Sequence, residues 1–465
     1  MSSISPNEFA LQRIWLHQRI RRDRLRTLDG QSVVVLHPGI WNRESGPDFR
    51  NAILQFDDGH PVKGDVEVDV ARCGWHAHAH NADRAYQNVI LHVVWEAANT
   101  GQHVGPPVLV LRDVLDSPLP EILQEYEASR LDTPPPSIEP GACAEPFQHL
   151  TRSQIIDLVT AAAKRRLLAK ANAIRARARH VGWEQALWEG LFTALGYKHN
   201  VWPMRRIAEL LPMLQREGSE DLATTLTWES RLFGLAGLLP LNVDSLPPES
   251  KAHARRLWDH WWREQSALSA YVLPSSIWRL HGLRPANQPV RRLALAASWL
   301  ATPRWISRLD AWLTDQIPDR ELAHTLGDQL NTPPDEFWIR HWTFRSASSA
   351  RPLRLLGKPR LTDIAMNVIL PWFLGRANSG HNSELKNIIE HRYFAWPAGE
   401  DNALLRFVRQ RLLATSKTDL PPTAATQQGL IQLARDYCDQ SNVLCEECEL
   451  PDLLQSMIAK NRPDE

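Results

Sequence analysis

The chain has 465 residues, enough for two or three domains with sizeable cores. Lysine plus arginine and aspartate plus glutamate both total 53, so any nucleic-acid contact must come from local patches rather than bulk charge. Five cysteines are too few for a disulfide scaffold and imply a reducing compartment. The amphipathic N-terminus lacks the apolar core of a secretory signal, and no run approaches the ~18 apolar residues of a membrane span. A cytoplasmic protein without a membrane segment is therefore expected.

An amphipathic pattern predicts an opening helix over about 7–20. Three β-branched runs come next at 31–39, 48–56 and 63–70, punctuated by Gly39, the Asp57-Asp58-Gly59 turn and Gly64. A helix over NADRAYQNV should lead into NVILHVVWE (88–96), a nearly continuous apolar run of the kind a strand buried on both faces requires. PVLVLRDV (107–114) offers a further strand. Residues 1–115 thus read as a mixed-sheet α/β domain. Prolines 118, 120, 134–136 and 140 mark 116–150 as a linker. Beyond Thr151 the three- and four-residue apolar spacing is helical almost throughout, so 151–465 reads as a large helical region. The expected class is α+β.

The chemistry concentrates in the first domain. Asp48 opens the second strand and Glu67 and Asp69 share one face of the third, because side chains alternate with period two. Antiparallel pairing would bring Asp48 beside Glu67, and two carboxylates at one sheet edge suit magnesium or manganese, which prefer oxygen ligands. The competing reading is structural: Asp48 capping a turn, with Glu67 and Asp69 on a solvated face. Next comes Trp75-His76-Ala77-His78-Ala79-His80. In extended chain its histidines share a face, suited to metal binding or acid–base work beside the carboxylates, or simply to a solvated loop. His92, inside the apolar run, reads as a hydrogen-bonded core histidine.

Pro47-Asp48 followed by Glu67-Val68-Asp69 on the next strand, in this order of elements, resembles the PD-(D/E)XK nuclease superfamily. The resemblance implies a restriction-endonuclease-like fold, a metal held by Asp48 and Glu67, and an assisting glutamate at Glu8. The superfamily's water-orienting lysine falls at Asp69 here, with Lys63 a conceivable substitute. More broadly, DGQSVVVLHPGIWNRESGPDFRNA, GDVEV, LGYKHN, LRPANQP and the segment through Cys448 are similar to an uncharacterised bacterial family known as a domain of unknown function.

Cys438, Cys445 and Cys448 are spaced C-x6-C-x2-C, and CxxC is ordinary metal-ligand spacing. Cys143 is the natural fourth ligand for a zinc or iron–sulfur site; buried free thiols are the alternative. The nuclease resemblance permits either metal, since some nucleases of that superfamily hold an iron–sulfur cluster with four thiolates. Between Leu158 and Trp183 no acidic residue occurs, while Lys164, Arg165, Lys170, Arg175 and Arg177 do, a pattern fit to track a DNA or RNA backbone or to form a solvated face. The functional expectation is a metal-dependent nuclease or a nuclease-derived nucleic-acid-binding protein, with Asp69, His78 or His80 positioning water. The alternative is an inactive scaffold carrying a four-cysteine metal site. Whether the chain is an enzyme is left open by the sequence.

Overall fold

The β-branched runs all pair into one sheet. The structure, a computed structural model, describes residues 6–42, 45–71, 75, 83–97, 105–127, 140–216, 224–414, 419–438, 445 and 448–459. Its strands are β1 (Val33–His37), β2 (Ile40–Trp41), β3 (Phe49–Phe56), β4 (Val62–Ala71), β5 (Val89–Glu96) and β6 (Val108–Val110). They lie in the order β1-β3-β4-β5-β6, with β2 also on β3. Contacts β1–β3 and β3–β4 are antiparallel; β4–β5 and β5–β6 are parallel. The sheet is mixed and helices dominate the chain beyond it, so the α+β expectation holds.

Local chemistry explains where elements stop. In the opening helix, Glu8–His17, the Asn7 side chain accepts from the Ala10 amide at 2.9 Å, and Leu11, Ile14 and Trp15 face inward at helical spacing. It ends three residues earlier than predicted because Gln18 turns left-handed (φ 51°) and its carboxamide donates to the Trp15 carbonyl. β5 buries Leu91, Val93 and Val94 completely, each worth about 1.5–3 kcal/mol of apolar transfer. The β4–β5 pair is so close that a Cβ at Gly64 would lie 2.4 Å from the Ile90 side chain and 2.8 Å from the Asn88 carbonyl oxygen.

Two expected elements differ. The helix predicted over NADRAYQNV is, in its described part, one 3-10 turn (Arg84–Tyr86) capped by Asp83. The Asn88 carbonyl is already bonded to the Asp65 amide of β4, so strand pairing takes the chain before a helix can propagate. Within the predicted linker, Leu119–Glu127 and Ala144–Gln148 are helical, the first with Pro120 in its opening turn, where a missing N–H costs nothing. Pro371 is accommodated by a π turn over Ala365–Ile369 just before the helix Leu370–Ser379.

The chain forms two compact units, neither continuous in sequence: 1–123 with 195–301 and 334–353, and 124–194 with 302–333 and 354–465. In the first, the helix Val201–Glu209 is tied to the sheet by Arg22. That guanidinium donates to Glu209 at 2.6 Å and to the Val35 carbonyl of β1 at 2.6 Å. Arg22, Arg206 and Arg205 pull the Glu209 carboxyl down to about 2 against the opposing effect of burial. In the second unit, Arg152–Val181 packs on Leu370–Ser379 and Ala424–Tyr437. Gly429 permits the latter crossing: a Cβ there would meet the Val159 carbonyl oxygen at 2.2 Å. No helix among the described residues is long and apolar enough to cross a membrane.

Candidate functional site

Asp48 and Glu67 are brought together by the β3–β4 register, which sets Phe49 opposite Val66. The Asp48 amide donates to Glu67 Oε2 at 3.1 Å, and the Val68 amide donates to Asp48 Oδ2 at 3.0 Å, so each strand holds the other's carboxylate. The opening helix completes the arrangement. Its Gln12 carboxamide donates to Asp48 Oδ1 at 2.7 Å and to Glu8 Oε1 at 3.1 Å, one helical turn apart. The solvated-face reading fails for Glu67 and Asp69, which are 7% and 4% exposed.

Crowding these acids has an electrostatic cost. Burial pushes the Asp48 carboxyl up to about 7, opposed by the Val68 amide and reinforced by Glu8 and Asp69. Burial and then repulsion from Asp48 push Glu67 to about 9, with Asp69 and Glu8 adding to the shift. Tyr86 is raised to about 12 by burial first and by the same carboxylates next. A pair of carboxyls this reluctant to ionise together favours a shared proton or an added cation.

Asp69 has a different partner. Its Oδ2 lies 2.9 Å from Nε2 of His92, which is fully buried on β5. The parallel register places His92 opposite Glu67, one side-chain step from Asp69 on the same face. His92 is thus a hydrogen-bonded core histidine, as its place in an apolar strand suggests. The ring of Trp75 lies 5.4 Å from His92 and 6.1 Å, edge-on, from Tyr86, forming an aromatic flank. Lys63 is no substitute for the missing lysine: it is exposed and four residues up the strand from Glu67, roughly 13 Å at the usual rise.

Sequence reasoning passed over Gln12 and Tyr86. Gln12 follows Glu8 by one turn, so a helix that aims Glu8 at the sheet must aim Gln12 there too. Tyr86 had no comparable signal, because its place depends on the 3-10 turn. His76, His78, His80 and Cys73 lie outside the described residues.

The other predicted residues fall in the second unit. Lys164 pairs with Glu390 and Arg165 with Asp436, both at 2.9 Å. Lys170 is bonded to the Asn367 carboxamide on the π turn, and Arg177 grips Glu189 at 2.8 and 2.9 Å. Arg175 is half-buried. The acid-free helix therefore meets acids and amides from other helices. Cys143, Cys438, Cys445 and Cys448 are free thiols within electrostatic reach of one another. Burial, with the neighbouring sulfurs adding to it, raises Cys143 and Cys438 to about 12.

No three His, Cys, Asp or Glu side chains among the described residues form a ready-made metal ligand set. The all-oxygen donors of the Asp48–Glu67 pair nonetheless match a hard divalent cation in chemistry.

Fold and site together define an α+β protein with a carboxylate pair clamped at the junction of two antiparallel strands. The chain belongs to the family described as Protein of unknown function (DUF2851), which it matches over residues 8–400. No curated protein and no solved structure matches it.

Proposed function

We propose that the protein is a divalent-cation-dependent phosphodiesterase of nuclease type, with Asp48 and Glu67 holding magnesium or manganese. The observation that supports this reading best is the reciprocal clamp between the two strands, which fixes both carboxylates side by side. When bound, the cation supplies Lewis-acid polarisation of a phosphoryl oxygen and an acidified water. The protein's own groups divide the remaining tasks. Gln12 and the two amides orient the carboxylates, Glu8 adds negative charge at the rim, and Asp69, aligned by His92, occupies the position of the water-orienting lysine. DNA or RNA is the proposed substrate class.

The full chain, incubated with labelled single- and double-stranded DNA and RNA in magnesium or manganese, should cut at least one of them. Glu67→Gln should lower that rate by roughly a hundredfold or more, the size expected when a charge-stabilising group is lost. Manganese binding followed by calorimetry should weaken in step. Undiminished cutting by Glu67→Gln, or the absence of manganese binding to the wild type, excludes this site.

One observation favours a second reading, a nuclease-like scaffold without turnover: Asp69 is bonded to a fully buried histidine, a pairing that serves the sheet equally well. That reading expects manganese binding without hydrolysis.

A further inference from the structure

Four thiols scattered along the sequence gather at one corner of the second unit. Cys143 is 3% exposed, just ahead of the helix Ala144–Gln148, in an apolar cluster with Leu412, Leu433 and Leu450. Cys438 ends the helix Ala424–Tyr437, Cys448 precedes the helix Leu450–Ala459, and both pack against that cluster. Cys143 lies within electrostatic reach of the other three. Arg411, at the end of the helix Ala403–Leu413, donates to Cys445 Sγ at 2.9 Å and also bonds Cys438. The backbone seals the corner, because the Gly141 amide donates to the Arg411 carbonyl at 2.8 Å.

We infer that Cys143, Cys438, Cys445 and Cys448 form a thiolate metal centre that pins the C-terminal helix to the segment entering the unit. Four soft ligands, two of them a CxxC pair, match a structural zinc ion or an iron–sulfur cluster, and a chain with five cysteines has little reason to bring four together otherwise. On loading, each thiol releases its proton to solvent and its sulfur donates an electron pair to the metal; zinc(II) is the incoming species in one case, and equal amounts of ferrous and ferric iron with sulfide in the other, so that no iron changes oxidation state. Four thiolates leave such a centre anionic, and Arg411 supplies the compensating charge and an N–H bond to sulfur. The thiols are not yet at ligand spacing, so loading must draw them closer.

The test is elemental and acid-labile-sulfide analysis of full-length protein purified without oxygen, together with its visible spectrum. Stoichiometric zinc on a colourless protein identifies the ion. Iron with equal sulfide and a dithionite-bleached visible band identifies the cluster. Cys143→Ser and Cys448→Ser should each remove the metal, Cys73→Ser should retain it, and Arg411→Gln should weaken retention by roughly tenfold. Because a cysteine variant can fail to fold, wild-type protein stripped of metal is also alkylated with and without added zinc(II). Protection of these four thiols, but not Cys73, supports the centre. Metal-free anaerobic protein whose four thiols alkylate equally with and without zinc, or a disulfide among them, overturns it.

Discussion

The carboxylate pair and the cysteine corner both gather like groups whose ionisation burial disfavours, but the chain assembles them by opposite routes. The carboxylate site joins neighbours in one sheet: Asp48 and Glu67 meet because β3 and β4 are joined by a tight turn, and His92 reaches Asp69 by the adjacent parallel pairing. The corner joins Cys143 to residues of the last helices across the whole second unit. Local pairing can form the first as soon as the sheet exists. The second needs the helical packing to be complete, or a ligand to complete it.

That difference should appear most strongly on substituting Gly429. A methyl group at this position meets the Val159 carbonyl oxygen, which belongs to a helix backbone and has no rotamer with which to yield. Gly429→Ala should cost on the order of 3 kcal/mol in the second unit. Hydrogen exchange would then rise in Arg152–Val181 and Ala424–Tyr437 while β3, β4 and β5 keep their protection. Equal loss in both places would mean that carboxylate site and cysteine corner unfold as one.

A somewhat smaller effect should result from His92→Ala. It leaves the Asp69 carboxylate buried without its imidazole partner, at a cost of roughly 1–3 kcal/mol, and opens space beside Trp75. The denaturant midpoint should fall accordingly. If Asp69 serves chemistry as well as the sheet, activity measured far below that midpoint should also fall, whereas unchanged activity would assign the pair to stability alone.

The two regions were also unequally legible in the sequence. Alternation along β4 and the Asp57-Asp58-Gly59 turn sufficed to place Asp48, Glu67 and Asp69 together, because period two and a tight turn determine a hairpin. The same logic missed Gln12 and Tyr86, whose positions depend on how a helix and a 3-10 turn dock on the sheet. In the helical region, spacing identified the individual helices but not their partners. Periodicity records an apolar face without naming the face it meets, so nothing in the sequence foretold that Val201–Glu209 would share a unit with the strands. The basic run on Arg152–Val181 shows the same limit: the acids that pair with it come from Glu390 and Asp436, more than two hundred residues away.

The subtlest expected effect is a pH dependence confined to the carboxylate pair. Glu67 is raised to about 9 and Asp48 to about 7 in the folded protein, both above their unfolded values near 4. Between those limits the folded state binds more protons than the unfolded one. The contribution of these groups is therefore fully present at low pH and is lost as pH rises through 7 and then 9. Metal-free protein should show a falling denaturant midpoint from pH 6 to pH 9. Magnesium or manganese should reverse the fall with an affinity that climbs over the same interval, because the cation displaces protons. Glu67→Gln should flatten the profile, since it removes the group with the larger upward shift and leaves Asp48 to titrate alone. The cysteine corner should be silent under magnesium, which is too hard a cation for thiolate. A magnesium-dependent stabilisation that survives Glu67→Gln would place the cation elsewhere and separate the carboxylate clamp from metal binding.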